Sequence, residues 1–297
     1  MTVPVAVFAF NRVHHLQKTL GALACNHGAA DTDVTIFCDG PRSPSELEQT
    51  NLVRAYALNV SGFRTVTVVE QPHNLGLEQS LIGGISMMLK NSPSVIVVED
   101  DIVTAPNFLR YMNDALECYA DEFRVMSVSG YAYPISIAEE TYFLRDFECW
   151  GWGTWRRSWE EMDWDGNRLL VQLRERNLHR AFDYDGSYPF LAMLQDQIAG
   201  RTKSWAIRAR ANVFLRDRLT LYPRKSLVTM NIGADGTGTS AGSDAEMFKP
   251  ESNDQRVVVS PIPPVNNAQA CNAVASFLRR DTSILARLRR KVGRLMQ

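Results

Sequence analysis

Val95-Ile96-Val97-Val98-Glu99-Asp100-Asp101 reads as a buried strand that ends in three adjacent carboxylates. Four β-prone apolar residues without a polar interruption suit a strand covered on both faces, as in a parallel sheet. Three negative charges at the end of such a strand repel one another beside a low-dielectric core. A hard divalent cation shared with a phosphorylated ligand would supply the missing positive charge. The plainer alternative is a solvated acidic strand end that feeds the next helix.

The flanking sequence repeats the same unit. Val3 to Phe10 reads as a strand, and Leu16, Leu20 and Leu23 follow at helical spacing. Val34 to Cys38 is a second strand, stopped by Asp39-Gly40-Pro41. Ser45 is placed to cap a helix carrying Leu52, Val53 and Tyr56, with Glu48 as its capping-box partner. Thr65 to Val69 is a third strand, a helix spans about Leu77 to Leu89, and the quoted strand follows. Pro106 opens a further helix whose residues Phe108, Leu109, Met112 and Leu116 share a face, and Val125 to Val128 is a fifth strand. The expected fold class is therefore α/β, a mostly parallel Rossmann-like sheet flanked by helices. Ligands of such sheets lie beyond the carboxyl ends of the strands. There the chain places Asn11-Arg12, Asp39-Gly40, His73-Asn74-Leu75-Gly76 and Glu99-Asp100-Asp101.

Composition narrows the function classes. The chain has 297 residues, 45% of them hydrophobic and 22% charged, enough for one large core or two smaller ones. A net charge of -1 gives no signal for nucleic acid. The five cysteines are scattered without a CxxC pair or a Cys/His cluster, which argues against zinc and against a disulfide framework. Reduced thiols in a cytoplasmic compartment are the expectation. The first ten residues lack the basic region of a signal peptide, and no run of 18 apolar residues is long enough to span a bilayer.

Beyond Gly130 the pattern changes. Tyr131 to Leu144 suits a hairpin or an irregular loop. Trp150, Trp152, Trp155, Trp159 and Trp164, five of the chain's six tryptophans, then fall within 15 residues. Most are expected in the core, with one or two available to a ligand. Residues 168–200 look helical, whereas Ser204 to Val213 and Leu219 to Tyr222 look like strands. A loop from Asn231 to Gly242 holds four glycines and suits a lid or a surface loop. Pro261, Pro263 and Pro264 make a stiff linker, after which apolar residues from Phe277 to Leu295 recur at helical spacing. From Arg279 to Gln297 there are seven Lys/Arg and one acid. This basic amphipathic tail, residues 277–297, suits an anionic membrane surface, with a protein partner as the rival reading.

Taken in order, several of these pieces resemble the GT-A glycosyltransferases, and most of all the N-acetylglucosaminyltransferase I-like family and its bacterial sugar-transferase relatives. The likeness rests on Phe10-Asn11-Arg12, Cys38-Asp39-Gly40, Val97-Val98-Glu99-Asp100-Asp101 with Ala105-Pro106-Asn107-Phe108, Trp150-Gly151-Trp152, Asp196 and the loop after Asn231. It implies a GT-A catalytic domain over 1–255, with a nucleotide-sugar half (1–130) and an acceptor half (131–255), followed by a linker and tail (256–297).

The resemblance also implies roles. Asp101 would bind Mn2+ or Mg2+, and Asp100 and Glu99 would contact the ribose and donor sugar. Asp39 would accept the uracil N3–H, Arg12 would approach the diphosphate or sugar, and Asp196 would be the base of an inverting displacement, with Asp183 and Asp185 as nearby competitors. The implied donor is a UDP-sugar, with UDP-N-acetylglucosamine as the first guess. The acceptor does not follow from the resemblance; the basic tail and the lack of a signal peptide suggest a saccharide or lipid-linked saccharide on the inner face of a bacterial membrane, extended toward a surface polysaccharide. Two other readings stay open. A sugar nucleotidyltransferase would carry a glycine-rich basic loop after the first strand, where this chain has Asn11-Arg12-Val13-His14-His15. A glycan-binding protein would use the tryptophans and would not need the acidic triplet.

Overall fold

The computed structural model describes residues 2–231, 248 and 253–282. Its centre is an eight-stranded sheet. In chain order the strands are β1 (Val5–Ala9), β2 (Asp33–Cys38), β3 (Thr65–Glu70), β4 (Ser94–Glu99), β6 (Val125–Ser129), β7 (Thr141–Leu144), β8 (Trp152–Trp155) and β9 (Leu219–Pro223). Their spatial order is β3-β2-β1-β4-β8-β6-β9-β7. A separate antiparallel pair joins β5 (Ile102–Thr104) to β10 (Val228–Met230).

The first half matches the βα alternation read from the sequence. Strands β3, β2, β1 and β4 are mutually parallel. They are linked by α1 (Val13–Ala24), α2 (Leu47–Ala57) and α3 (Leu77–Asn91). Period-two alternation divides each central strand between two cores. Val5, Val7, Ile96 and Val98 join α1 and α4 (Phe108–Cys118) on one face. Ala6, Phe8, Val95 and Val97 join Leu81 and Ile85 of α3 on the other. Burial on both faces explains why β4 is an unbroken apolar run.

The second half extends the same sheet instead of building its own. β8 inserts between β4 and β6, antiparallel to both, with Trp152 opposite Val97 and Ser129. Trp152, Trp155 and Trp159 are buried, and Trp150 and Trp164 are half-buried, so core packing accounts for most of the tryptophan cluster. Five further helices complete this half: α5 (Arg156–Trp159), α6 (Gly166–Glu175), α7 (His179–Phe182), α8 (Phe190–Ile198) and α9 (Ala206–Leu215).

Helix α9 corrects the expectation of a strand over Ser204 to Val213. Trp205, Ile207, Ala209, Ala211 and Val213 alternate with Arg208, Arg210 and Asn212 and so imitate a half-exposed strand. The polar set is buried too. Arg208 donates to the Trp164 carbonyl, Arg210 pairs with Asp146, and Asn212 donates to the Asp163 carbonyl. A helix with every face covered has no amphipathic period to read.

The proline-rich stretch lies against the fold. The Ile262 N–H donates to the Tyr119 hydroxyl, and the Asn267 N–H donates to the Phe143 carbonyl. The final helix, α10 (Ala268–Thr282), buries Ala270, Val274 and Leu278, and its Phe277 ring packs near Tyr133. The beginning of the proposed amphipathic tail thus already has a partner within the chain. Residues 283–297, and the glycine-rich stretch 232–242, lie outside the described residues.

Candidate active site at the carboxyl edge of the sheet

Parallel register brings the ends of the central strands together. Phe8 of β1 lies opposite Glu99 of β4, and Ala9 lies opposite Cys38 of β2. Arg12, Asp39 and the triplet follow these strand ends, and Asn74, Leu75 and Gly76 join them through Asp39, so the polar clusters expected there meet along one edge.

Arg12 supplies positive charge to the triplet from within the chain. Its guanidinium grips Asp100 through Nη2 and through Nε (3.3 Å), and Nη2 also donates to Asp101 Oδ2 at 3.0 Å. The Asp100 backbone is fixed as well, because the Thr19 hydroxyl of α1 donates to its carbonyl at 2.7 Å. Arg12 Nη1 is buried and has no hydrogen-bond acceptor among the described residues. Such an orphaned charged donor is costly, and an anionic ligand oxygen would satisfy it.

The three carboxylates differ. Asp100 is buried, whereas the Asp101 side chain keeps 25% of its exposure. Glu99 has no ion-pair or hydrogen-bond partner among the described residues. Burial, with Asp101 and Asp100 adding repulsion, pushes Glu99 up to about 8 against the pull of Arg12. Burial also raises Asp100 to about 6, with Arg12 opposing. Beyond the triplet, the β5–β10 pair sets Met230 opposite Ile102. The Asn231 N–H donates to the Asp101 carbonyl at 2.7 Å, and Lys18 Nζ reaches Asn231 Oδ1 at 3.4 Å. Asn231 Nδ2 is buried without a hydrogen-bond partner among the described residues, a second orphaned donor on this edge.

Asp39 is used by the fold itself. Its Oδ1 accepts the Gly40 and Leu75 N–H groups at 2.8 Å, and its Oδ2 accepts Asn74 Nδ2 and the Gly76 N–H at 2.9 Å. It clamps the β3–α3 loop onto the end of β2. Gly40 permits this contact, since a Cβ there would lie 2.4 Å from the His73 carbonyl carbon. A carboxylate has about four acceptor positions. A uracil N3–H would therefore have to displace one of the four donors.

Asp196 sits near the end of α8, 44% exposed, with Arg201 Nε donating to it at 2.8 Å. The structure shows no contact between it and the triplet. Asp183 is held by the Leu191 N–H at 2.7 Å, and Asp185 is an exposed partner of Arg180.

Among the described residues, no group of three or more His, Cys, Asp or Glu is arranged to hold a metal ion. The donor chemistry nevertheless fits Mn2+ or Mg2+ in one specific manner. Such ions are commonly held by one or two carboxylates plus substrate phosphates, and Asp101 offers a partly exposed hard-oxygen donor beside Glu99.

Sequence reasoning missed a second polar group. Asp146, Glu148, Tyr133, Tyr184 and Arg210 form a buried network. The available signal was Arg208 and Arg210 set among the apolar residues of α9, since buried guanidinium groups require buried carboxylates.

No family model matches the chain, and neither does any curated protein. Among solved structures, Staphylococcus aureus TarS is 18% identical over 48% of this chain and 25% of its own length, with a TM-score of 0.34. The mannosyltransferase PcManGT from Pyrobaculum calidifontis, solved with GDP-Man and Mn2+, is 14% identical over 58% of this chain and 47% of its own, with a TM-score of 0.37. An active-site mutant of LgtC is 12% identical over 58% and 64%, with a TM-score of 0.34. In each case the match spans less than two-thirds of the known structure. Likeness of this size assigns no role to any residue.

Proposed function

We propose that this chain is a metal-dependent, inverting glycosyltransferase that moves a sugar from a UDP-sugar, UDP-N-acetylglucosamine first among them, to a saccharide hydroxyl. The supporting observation is the convergence of Arg12, with its orphaned Nη1, and the Glu99-Asp100-Asp101 triplet on the carboxyl edge of a parallel sheet. This edge is where an α/β sheet binds its ligand. Asp101, with Glu99 beside it, would hold Mn2+ or Mg2+, which when bound neutralises charge on a departing diphosphate. Arg12 holds Asp100 and Asp101 in place and offers its free donor to the donor substrate. Asp39 shapes the loop that would border the base. The resemblance gives the proton-accepting role to Asp196. A lipid-linked acceptor on the inner face of a bacterial membrane, extended toward a surface polysaccharide, agrees with the basic tail; no helix among the described residues is long and apolar enough to cross a membrane.

Calorimetric titration with UDP, GDP and CMP, each with and without Mn2+, tests this reading. Manganese-dependent binding of UDP is expected in the wild type, weakened at least about tenfold in Asp101→Ala. Superimposable curves for the two proteins would remove Asp101 from the metal. No nucleotide binding under any condition would favour a glycan-binding protein instead.

A further inference from the structure

The antiparallel register of β8 carries the segment that holds Glu148 toward the edge of the sheet where the acidic triplet lies. β8 runs antiparallel to β4 with Trp152 opposite Val97, so the residues before β8 run back past the end of β4 toward its carboxyl edge. The Gly130 N–H fixes this approach by donating to the Gly151 carbonyl at 2.7 Å. Burial and the negative charges of Glu99, Glu148 and Asp101 all push the Cys149 thiol up, so this segment feels both Glu148 and the triplet.

Proton counting separates Glu148 from its neighbour Asp146. Asp146 is fully buried and receives the Phe147 N–H (2.7 Å), the Tyr184 hydroxyl (2.7 Å) and Arg210 Nη1 (2.5 Å). Glu148 lies 3.6 Å from the same Arg210 nitrogen and keeps 13% of its side-chain exposure. The Tyr133 hydroxyl touches both carboxyl groups, Asp146 Oδ2 at 3.0 Å and Glu148 Oε1 more closely. A phenol has one proton to donate. Both contacts are hydrogen bonds only if one carboxyl carries a proton of its own. Asp146 holds the close arginine and the other donors, so the proton belongs to Glu148. Burial and Asp146 raise Glu148 to about 8, with Arg210 opposing. The titratable and charged groups around it are Asp146 and Cys149 on its own segment, Tyr131 and Tyr133 after β6, Tyr184 before α8, Arg210 on α9, Tyr222 on β9, and Glu99 and Asp101 across Cys149.

We propose that Glu148 is the proton acceptor of the sugar transfer, an inference that rests on the glycosyltransferase reading. The acceptor oxygen forms its bond to the anomeric carbon. The bond from that carbon to the diphosphate oxygen breaks, its electron pair leaving with the diphosphate. The hydroxyl proton passes to the Glu148 carboxylate. A base works best when its proton affinity lies near the working pH. Burial and Asp146, with Arg210 opposing, hold Glu148 in that range, whereas Asp196 is a surface carboxylate already bound by Arg201.

The test is turnover of UDP-N-acetylglucosamine, with Mn2+ and a saccharide acceptor, by the full chain between about pH 6 and 9.5. In the wild type kcat is expected to rise with pH through the region near 8. Glu148→Gln is expected to lower kcat about 10²–10⁴-fold and to flatten that rise, with UDP affinity unchanged. Glu148→Asp is expected to keep a slower, displaced rise. Wild-type turnover in the Gln variant, or the same rise in both variants, overturns the proposal. If the Gln variant does not fold, the Asp variant decides: a displaced rise supports the proposal and an unmoved one overturns it. A wild type that neither binds UDP nor turns over the donor overturns the glycosyltransferase reading, and this inference with it. UDP-dependent turnover that ignores Glu148 overturns this inference alone.

Discussion

At the scale of single residues, the site depends on carboxylates that look alike in sequence and differ in use. Asp39 satisfies three backbone N–H groups and one side-chain amide. Asp39→Ala strands those donors in a buried position and is expected to lower the unfolding free energy by about 2–4 kcal/mol. Urea denaturation measures it, and a loss below about 0.5 kcal/mol would mean that the clamp does not hold the loop. Asp100 is gripped by Arg12, Asp101 is shared between Arg12 and solvent, and Glu99 is left without a cation of its own. The repulsion that drew attention to the triplet is thus partly answered inside the chain, and the remaining charge is what a bound cation would meet. Asp33 shows the contrast at the surface, where Arg64 and the Thr65 hydroxyl hold it near 2.

At the scale of elements, α10 decides how the tail must be tested. Removing residues 277–297 would take away Phe277 and Leu278, which pack on the fold. A cut after Thr282 leaves the packed part of α10 in place and removes Arg287, Arg289, Arg290, Lys291 and Arg294. With about 1 kcal/mol expected from each basic residue near an anionic surface, this truncation should abolish co-sedimentation with phosphatidylserine vesicles and leave the melting temperature unchanged. Vesicle binding equal to that of the full chain would end the membrane reading. Helix α9 teaches the opposite lesson about reading elements. Its arginines lie inside, so an alternation that looks like one wet face of a strand is a set of buried ion pairs around a helix. Charged residues in a sequence report exposure only when no partner awaits them inside.

At the scale of the whole molecule, the raised carboxyls set the pH response. Glu148 sits at about 8 in the folded chain, above the ordinary glutamate value of 4.5. The folded state then binds more protons than the unfolded one, so the stability this group contributes is complete below its ordinary value and is lost as pH rises through about 8. The melting temperature of the ligand-free protein is expected to fall on the order of 2–5 °C between pH 6 and 9, and Glu148→Gln should make that slope shallower, with Glu99 carrying the remainder. Scanning calorimetry across this range checks it, and parallel slopes in the two proteins would refute the assignment. The α/β class, the first four parallel strands and the edge where Arg12, Asp39 and the triplet collect were legible in the sequence, because each follows from local periodicity and strand ends. The insertion of β8 between β4 and β6 was not, nor was the filling of Asp39 by its own loop or the pairing of Arg210 with Asp146 and Glu148. Those depend on which segments, distant in the chain, share the low-dielectric interior, and a buried charge acquires its meaning only from the partner that tertiary packing brings to it.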